Sequence, residues 1–453
     1  MRGNPRLRGT PTRDRRFRRF GQALFRMPER RCGRPLSFPQ SRDPSFGAKD
    51  PRGPHVTTHP IAIANVGGPT AGGLRSAEQL CAAVALASGV FLGASLFKGA
   101  WLIDWRGFAV PTDFVNVWAA GRLVLEGHPA AAYDWSIHKQ AEIEALGHGF
   151  DVYFGWHYPP PFLFVATELA RLPYFAAFAV WMAVTWPVFA LTLRGIVGHR
   201  LGLLFAGAFP ATLWNVAAGQ NGFVTAALIG GTLLLLDRRP VLAGICLGIL
   251  IYKPQFGLLF PLVLAVAGYW RTFATATAVG IAVALASWVA FGSAAWVAFF
   301  QAAPMTAKAV LSDGMADFAK LQSLFGLIRA LGGGATTAWA FQITAALASA
   351  AGVSIIWRRP VPFELKAAAL AVGSLLITPY VYVYDLTILA LPMAFLICLG
   401  LRTGFYPKEP AALVAASACI LLFPLAGIPT GLLAILVVAA LILRRVSVGE
   451  RTS

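Results

Sequence analysis

Long apolar runs alternate with short polar breaks along most of this chain. Runs at about 80–103, 174–194, 201–215, 222–236, 272–292, 337–356, 364–380, 386–401, 411–425 and 429–443 read as helices crossing a bilayer. The stretch at about 159–172 is too short to cross a hydrocarbon core of ~30 Å, and Pro159-Pro160-Pro161 at its entry suits an interfacial or re-entrant piece. Leu321 to Gly334 is a second such piece. The alternating short segments of a β-barrel are absent from the pattern, so the fold class is an all-α polytopic membrane protein of roughly ten spans.

The stretch 241–270 is bounded by arginines at both ends, Arg238-Arg239 and Arg271. Its length gives ~45 Å of helix, short of two crossings of ~30 Å each. Its middle carries Tyr252-Lys253-Pro254-Gln255, where proline breaks the helix and pushes Lys253 away from helical backbone. The pattern predicts a hairpin of two short helices with Lys253 near the tip. A single tilted span is the alternative.

Charge gives the orientation. Lys and Arg cluster on cytoplasmic loops. A basic start to the first span then places both termini in the cytoplasm and residues 104–158 outside, as the first outer loop. The formal charge of +18 does not signify nucleic-acid binding, because residues 1–75 hold 16 Lys and Arg against 4 Asp and Glu and so carry two thirds of it. That tail is rich in Arg, Pro, Gly and Ser and reads as disordered. No apolar core closely follows its basic start, so it does not read as a secretory signal. It fits a cytoplasmic arm touching anionic lipid, or the product of a start codon placed too early. The expected organisation is a tail over 1–75, a membrane domain over 76–446 and a short cytoplasmic end over 447–453. The whole chain of 453 residues is 57% hydrophobic and 13% charged, with mean hydropathy +0.64. Soluble domains are about a quarter charged. Cys32, Cys81, Cys246, Cys398 and Cys419 are scattered, with no CxxC or Cys/His cluster. Neither a disulfide framework nor a metal site is expected, and no cofactor.

Within the first outer loop, Phe114, Val117, Trp118, Gly121 and Leu125 share one helical face. Asp113 heads this helix, while Asn116, Arg122 and Glu126 lie off the apolar stripe. A helix of this kind is expected to lie against the membrane. Two roles fit Asp113: an N-cap after Thr112, or a carboxylate set to meet a lipid headgroup and a soluble partner together.

The same topology brings most unusual polar residues to the outer face: Asp113, Arg122, His157, Asn215, Gln220, Asn221, Lys253, Gln255, Gln322, Tyr380, Tyr384 and Asp385. Such groups are costly near a bilayer and usually face a cavity or a partner. Cations suit a phosphate, amides and aromatic faces suit a sugar, and a carboxylate suits removal of a hydroxyl proton. Each also has a plainer reading. Lys253 can snorkel to the interface. Arg122 and Glu126 can be an i,i+4 pair. His157 can be packed at the interface. Tyr380, Tyr382 and Tyr384 can form an aromatic belt. Asp385 opens a span and needs a partner.

Several motifs then become recognisable as a set. Asp113-Phe114, Trp118-Ala119-Ala120-Gly121-Arg122, Gly127-His128-Pro129 and Tyr133-Asp134 resemble the first outer loop of glycosyltransferase family 87. Tyr158-Pro159-Pro160-Pro161, Gly219-Gln220-Asn221-Gly222, Arg238-Arg239-Pro240 with Leu242-Ala243-Gly244, and Lys253-Pro254-Gln255 follow in the family's order. Beyond about residue 275 the resemblance thins to Gln322-Ser323 and Tyr384-Asp385. It implies a GT-C type multi-span bundle in the bacterial inner membrane with a periplasmic active site. It also implies metal-independent transfer with inversion of a hexose, mannose by default, from a polyprenyl-phosphate donor to a glycolipid or glycan acceptor. The family's base matches Asp113. Lys253 and Arg122 would then face the lipid phosphate, and Gln220, Asn221, Gln255, Gln322, His157, Tyr384 and Asp385 the rest of the donor. Some relatives are thought to use a His in a later outer loop, and residues 293–334 contain none. The rival readings are a transporter or flippase of an amphipathic lipid and a structural membrane protein whose outer cavity is packing alone.

Overall fold

The computed structural model describes residues 71–451 apart from Tyr153 and Ala316. Residues 1–70, most of the expected basic tail, lie outside the described residues. Residues 71–75, expected to end the tail, are part of the first helix. Among the described residues the fold is helical, with isolated bridges at Trp101, Ile103 and Ala109 in place of strands.

The helices run α1 (Ala71–Phe97), α2 (Phe114–Leu125), α3 (Trp135–Leu146), α4 (Leu163–Ala170), α5 (Tyr174–Val197), α6 (Leu201–Ala208), α7 (Pro210–Ala218), α8 (Gly222–Leu235) and α9 (Pro240–Ile249). There follow α10 (Leu259–Val266), α11 (Trp270–Ala307), α12 (Leu324–Ala330), α13 (Ala335–Arg358), α14 (Phe363–Leu376), α15 (Ala390–Thr403), α16 (Glu409–Ala426) and α17 (Thr430–Arg451). Among the described residues, seven helices are long and apolar enough to cross a membrane, and the pair α6–α7, bent by 55° at Pro210, makes up to eight. The expected total of about ten also counted α8 and α14. Each has 14 residues, ~21 Å of helix, and both are packed within the bundle.

Helices α14 and α15 are buried along most of their length and form the centre. On α1, α11, α13 and α16, large apolar side chains such as Val90, Val289, Leu347 and Leu425 point away from the protein. Helices apolar on both faces belong in lipid. At one end of the bundle, Arg200 donates to both oxygens of Glu78 at 2.8 and 2.7 Å, fastening α1 to the start of α6.

The chain over 240–266 is a hairpin. The Tyr269 hydroxyl donates to Asp237 Oδ1 at 2.6 Å, and Thr272 Oγ1 donates to the Pro240 carbonyl at 3.1 Å. Both ends of the segment therefore meet. Gly244 and Gly248 of α9 allow α11 to lie alongside, because a Cβ on either would fall 2.5–2.6 Å from Thr275 or Val279. Lys253 sits at the turn, in non-helical backbone (φ −134°, ψ 67°) between two single 3-10 turns. Pro254 accounts for both the break and the non-helical residue before it.

Helix α2 is packed on more than its apolar stripe: Asn116, Val115, Ala119 and Ala120 are buried along with Phe114, Val117 and Gly121, while Leu125 and Glu126 at its far end are exposed. A Cβ on Gly121 would fall 2.0 Å from the Ala166 carbonyl oxygen. That close approach lets α4 cover the second face, and periodicity within α2 cannot register it.

Candidate active site

Asp113 occupies the N-cap position of α2 but makes no cap hydrogen bond, because its own backbone is helical (φ −56°, ψ −22°). Capping side chains reach the helix N–H groups from extended backbone. The half-buried carboxylate instead accepts a hydrogen bond from Gln220 Nε2 at 3.1 Å. Desolvation raises its pKa above the ordinary aspartate value. The Gln220 bond and the charges of Lys320 and Lys253 work against that, and Asp385 works with it.

Gln220 is placed by the tight α7–α8 turn. Gly219 ends α7 in left-handed backbone (φ 71°), with a virtual Cβ 2.6 Å from Phe114 Cβ. Gly222 opens α8, and a Cβ there would lie 2.4 Å from the Tyr384 carbonyl oxygen. Its N–H donates to Asn215 Oδ1 at 2.8 Å. Only glycines allow this turn to sit between the head of α2 and the 3-10 segment Val383–Leu389. The Gln220 oxygen accepts from the Tyr158 hydroxyl at 3.0 Å, which fixes the amide with its nitrogen toward Asp113. Tyr158 is wedged among Trp156, Phe162 and Tyr252, with Phe162 and Tyr252 stacked at 4.8 Å.

At the hairpin tip, Lys253 Nζ donates to Asp385 Oδ1 at 2.6 Å, and both side chains are almost wholly buried. The other Asp385 oxygen accepts from the Tyr382 N–H at 3.0 Å. The ammonium also lies 5.2 Å from the centre of the Tyr384 ring and 5.9 Å from that of Tyr158. Tyr384 stacks on Tyr382 at 5.5 Å.

The remaining residues read from the sequence divide into two groups. Asn221 is 2% exposed, and its side-chain amide interacts with the Tyr158 hydroxyl, which itself donates to Gln220. Gln255, half-buried, lies two residues past Lys253 at the hairpin tip. Asn221 stays with the cluster. Arg122 does not: it sits nine residues along α2 from Asp113, ~13 Å of helix, and pairs with Glu126 at 3.1 Å near the surface. His157 is exposed and shares a hydrogen bond of 3.1 Å with Thr306. Gln322 is fully engaged in structure. Its amide nitrogen donates to the Ala319 and Lys320 carbonyls at 2.9 and 3.3 Å, and its oxygen accepts from the Gly431 N–H at 2.8 Å.

Two features escaped the sequence reading. Lys320 lies close enough to act on the Asp113 charge, yet nothing in its local sequence marks it out. In α3 of the outer loop, His138 and Glu142 are both fully buried, with Nε2 and Oε1 3.6 Å apart. Burial pushes the Glu142 carboxyl up to about 8 against the pull of Lys139, and holds His138 down at about 3. Their i,i+4 spacing was the available signal.

Among the described residues, no group of three or more His, Cys, Asp or Glu side chains is placed to hold a metal ion. An open depression of about 680 Å³ lies at the other end of α2, lined by Glu126, His128, Gln140, Glu144 and Phe291 among others. None of Asp113, Gln220, Lys253 or Asp385 borders it.

The model of glycosyltransferase family 87 matches residues 156–379. No curated protein and no solved structure matches the chain.

Proposed function

We propose, starting from a chain that belongs to glycosyltransferase family 87, that Asp113 is the general base of a membrane hexosyltransferase. Family membership and the apolar helices make this a multi-pass membrane glycosyltransferase. The finer reading is ours. The donor is a hexose on a polyprenyl monophosphate, with mannose as the sugar by family resemblance. The acceptor is a glycolipid or glycan reached from the periplasmic face, and the anomeric centre inverts.

The observation that carries this reading is the state of the Asp113 carboxylate. It is released from capping and aimed by Gln220 at 3.1 Å, and desolvation makes it a stronger base than a free aspartate. The acceptor hydroxyl gives its proton to Asp113 as its oxygen bonds to the sugar C1. The bond between C1 and the phosphate oxygen breaks, and its electrons leave on the phosphate. Asn221, buried beside Gln220 and Tyr158, belongs to the amide cluster that would face the sugar. Tyr384 and Tyr158, with Lys253 among them, supply aromatic faces. The polyprenyl tail would lie against the apolar, lipid-facing helices.

The test is transfer from synthetic polyprenyl-phosphate mannose by purified protein, with a mixed glycolipid acceptor pool, for the wild type and Asp113→Asn. Transfer by the wild type and none by a folded variant supports the reading. Equal transfer by both removes Asp113 from the mechanism. Absence of transfer in both rejects this donor and turns attention to a transporter.

A further inference from the structure

Helix α2 carries a buried amide that the fold leaves unused. Asn116 is 5% exposed, and among the described residues nothing donates a hydrogen bond to its Oδ1. A carbonyl buried without a donor gives up water and receives nothing in exchange. Asparagine is also one of the weaker residues for a helix interior. Packing of the apolar stripe does not call for it. Phe114 lies against Tyr174 and Phe178 at 5.6 and 5.4 Å, Trp118 Nε1 donates to the Leu172 carbonyl at 2.9 Å, and Gly121 lets Ala166 approach. Those contacts settle the stripe, and Asn116 lies off it.

What Asn116 does have is a place beside Asp113. Asp113 is already in helical backbone, and the Asn116 N–H donates to the Asp113 carbonyl at 3.3 Å. The two residues are therefore one turn apart, with Cβ atoms about 5–6 Å from each other. Helical side chains lean toward the N-terminus, which carries the Asn116 amide toward the Asp113 end of α2. Gln220 holds the Asp113 carboxylate at 3.1 Å, and the Asn116 oxygen takes no part in that contact.

We propose that Asn116 is a specificity-determining residue: its Oδ1 accepts a hydrogen bond from the sugar hydroxyl next to the one that gives its proton to Asp113. This rests on the assignment of Asp113 as base made above. Two side-chain oxygens one helical turn apart suit two hydroxyls on neighbouring carbons of one ring, the first reacting and the second held. An amide oxygen accepts a hydrogen bond but does not take the proton, so Asn116 orients the ring and leaves the chemistry to Asp113. The substrate supplies the donor that the fold does not. The class of acceptor this selects is a sugar with two adjacent free hydroxyls.

The test uses the full chain in detergent, as wild type, Asn116→Leu and Asn116→Ala. Transfer from polyprenyl-phosphate mannose is measured with the glycolipid that accepts in the mixed pool, and with its analogues deoxygenated at each carbon beside the reacting hydroxyl. Melting is recorded for each protein. Leucine is close to asparagine in shape and removes the stranded oxygen, and alanine removes it without adding bulk. Asn116→Leu should melt at or above wild type. Its kcat/KM for the complete acceptor should fall about threefold to tenfold, the scale of one neutral hydrogen bond, with the donor KM unchanged. One deoxy analogue should lose the same factor with wild type and nothing further with either variant. Unchanged kcat/KM in both variants, whatever their melting temperature, overturns the proposal and leaves Asp113 as base. Equal losses for complete and deoxy acceptors in the variants also overturn it, because Asn116 then acts through Asp113 and not on the sugar. So does a wild type that uses every deoxy analogue as well as the complete acceptor. Wild-type protein that transfers to nothing in the pool overturns both this proposal and the reading beneath it.

Discussion

Lys253 Nζ and Asp385 Oδ1 are 2.6 Å apart although the residues are 132 positions apart in the chain. The pair closes the hairpin tip onto the start of α15's entry turn, and both partners are 6% exposed or less. Removing one partner of a buried ion pair strands the other charge, which typically costs about 3–5 kcal/mol. Lys253→Met and Asp385→Leu should each melt well below wild type in detergent. Lys253→Met combined with Asp385→Asn should recover most of the lost melting temperature without recovering transfer. A double variant no more stable than the singles contradicts the pairing.

Asp113→Asn is nearly isosteric and keeps an acceptor for Gln220 Nε2, so its melting temperature should stay within a few degrees of wild type. Its kcat should fall by about a hundredfold to ten-thousandfold, the range of a lost general base. In the wild type, kcat/KM should fall with unit slope as pH drops. The sign follows from desolvation: it favours the protonated carboxyl, so the midpoint lies above the ordinary value of 3.8. A midpoint at or below 3.8 rules out a desolvated base.

The turn that aims Gln220 tolerates no Cβ at its last glycine. Gly222→Ala would set a methyl 2.4 Å from the Tyr384 carbonyl and 2.6 Å from the Asn215 and Thr387 side-chain oxygens. Overpacking of this order costs about 1–3 kcal/mol. The variant should melt lower, and its transfer should drop with it. At Gly352, where a Cβ meets nothing within 4 Å, alanine should change neither property.

Glu142 supplies a pH signature separate from catalysis. With its carboxyl held at about 8 in the fold and near 4.5 when unfolded, the folded state keeps a proton that the unfolded state has lost between those values. Stability then falls as pH rises through that window, by up to ~1.4 kcal/mol per pH unit. Above about pH 7.5, where unfolded His138 has lost nearly all its proton, wild-type melting temperature should decline with pH and Glu142→Gln should flatten the decline. Parallel curves for the two proteins exclude a buried, protonated Glu142.

Much of the architecture was legible in the residues. Apolar length gave the membrane class, Pro254 gave the hairpin break at Lys253, and the period of Phe114–Leu125 gave α2. The site was legible as a set of candidate residues and not as an arrangement. Arg122 and Lys253 carry equal formal charge in the sequence, but packing puts one in a surface pair with Glu126 and the other against Asp385. Gln322 read as a ligand-facing amide, and three hydrogen bonds consume it.

By itself, the sequence determined where helices form, where they break and that they belong in lipid. Those outcomes depend on side-chain volume, backbone restriction and transfer free energy over a few neighbouring residues. Only the tertiary structure decided that Asp113 leaves its helix uncapped and accepts from Gln220, and that Lys253 is taken up by Asp385. Those outcomes depend on distances of a few ångströms between segments far apart in the chain. Close approaches at Gly121, Gly219 and Gly222 set those distances, and they exist only once the helices have packed.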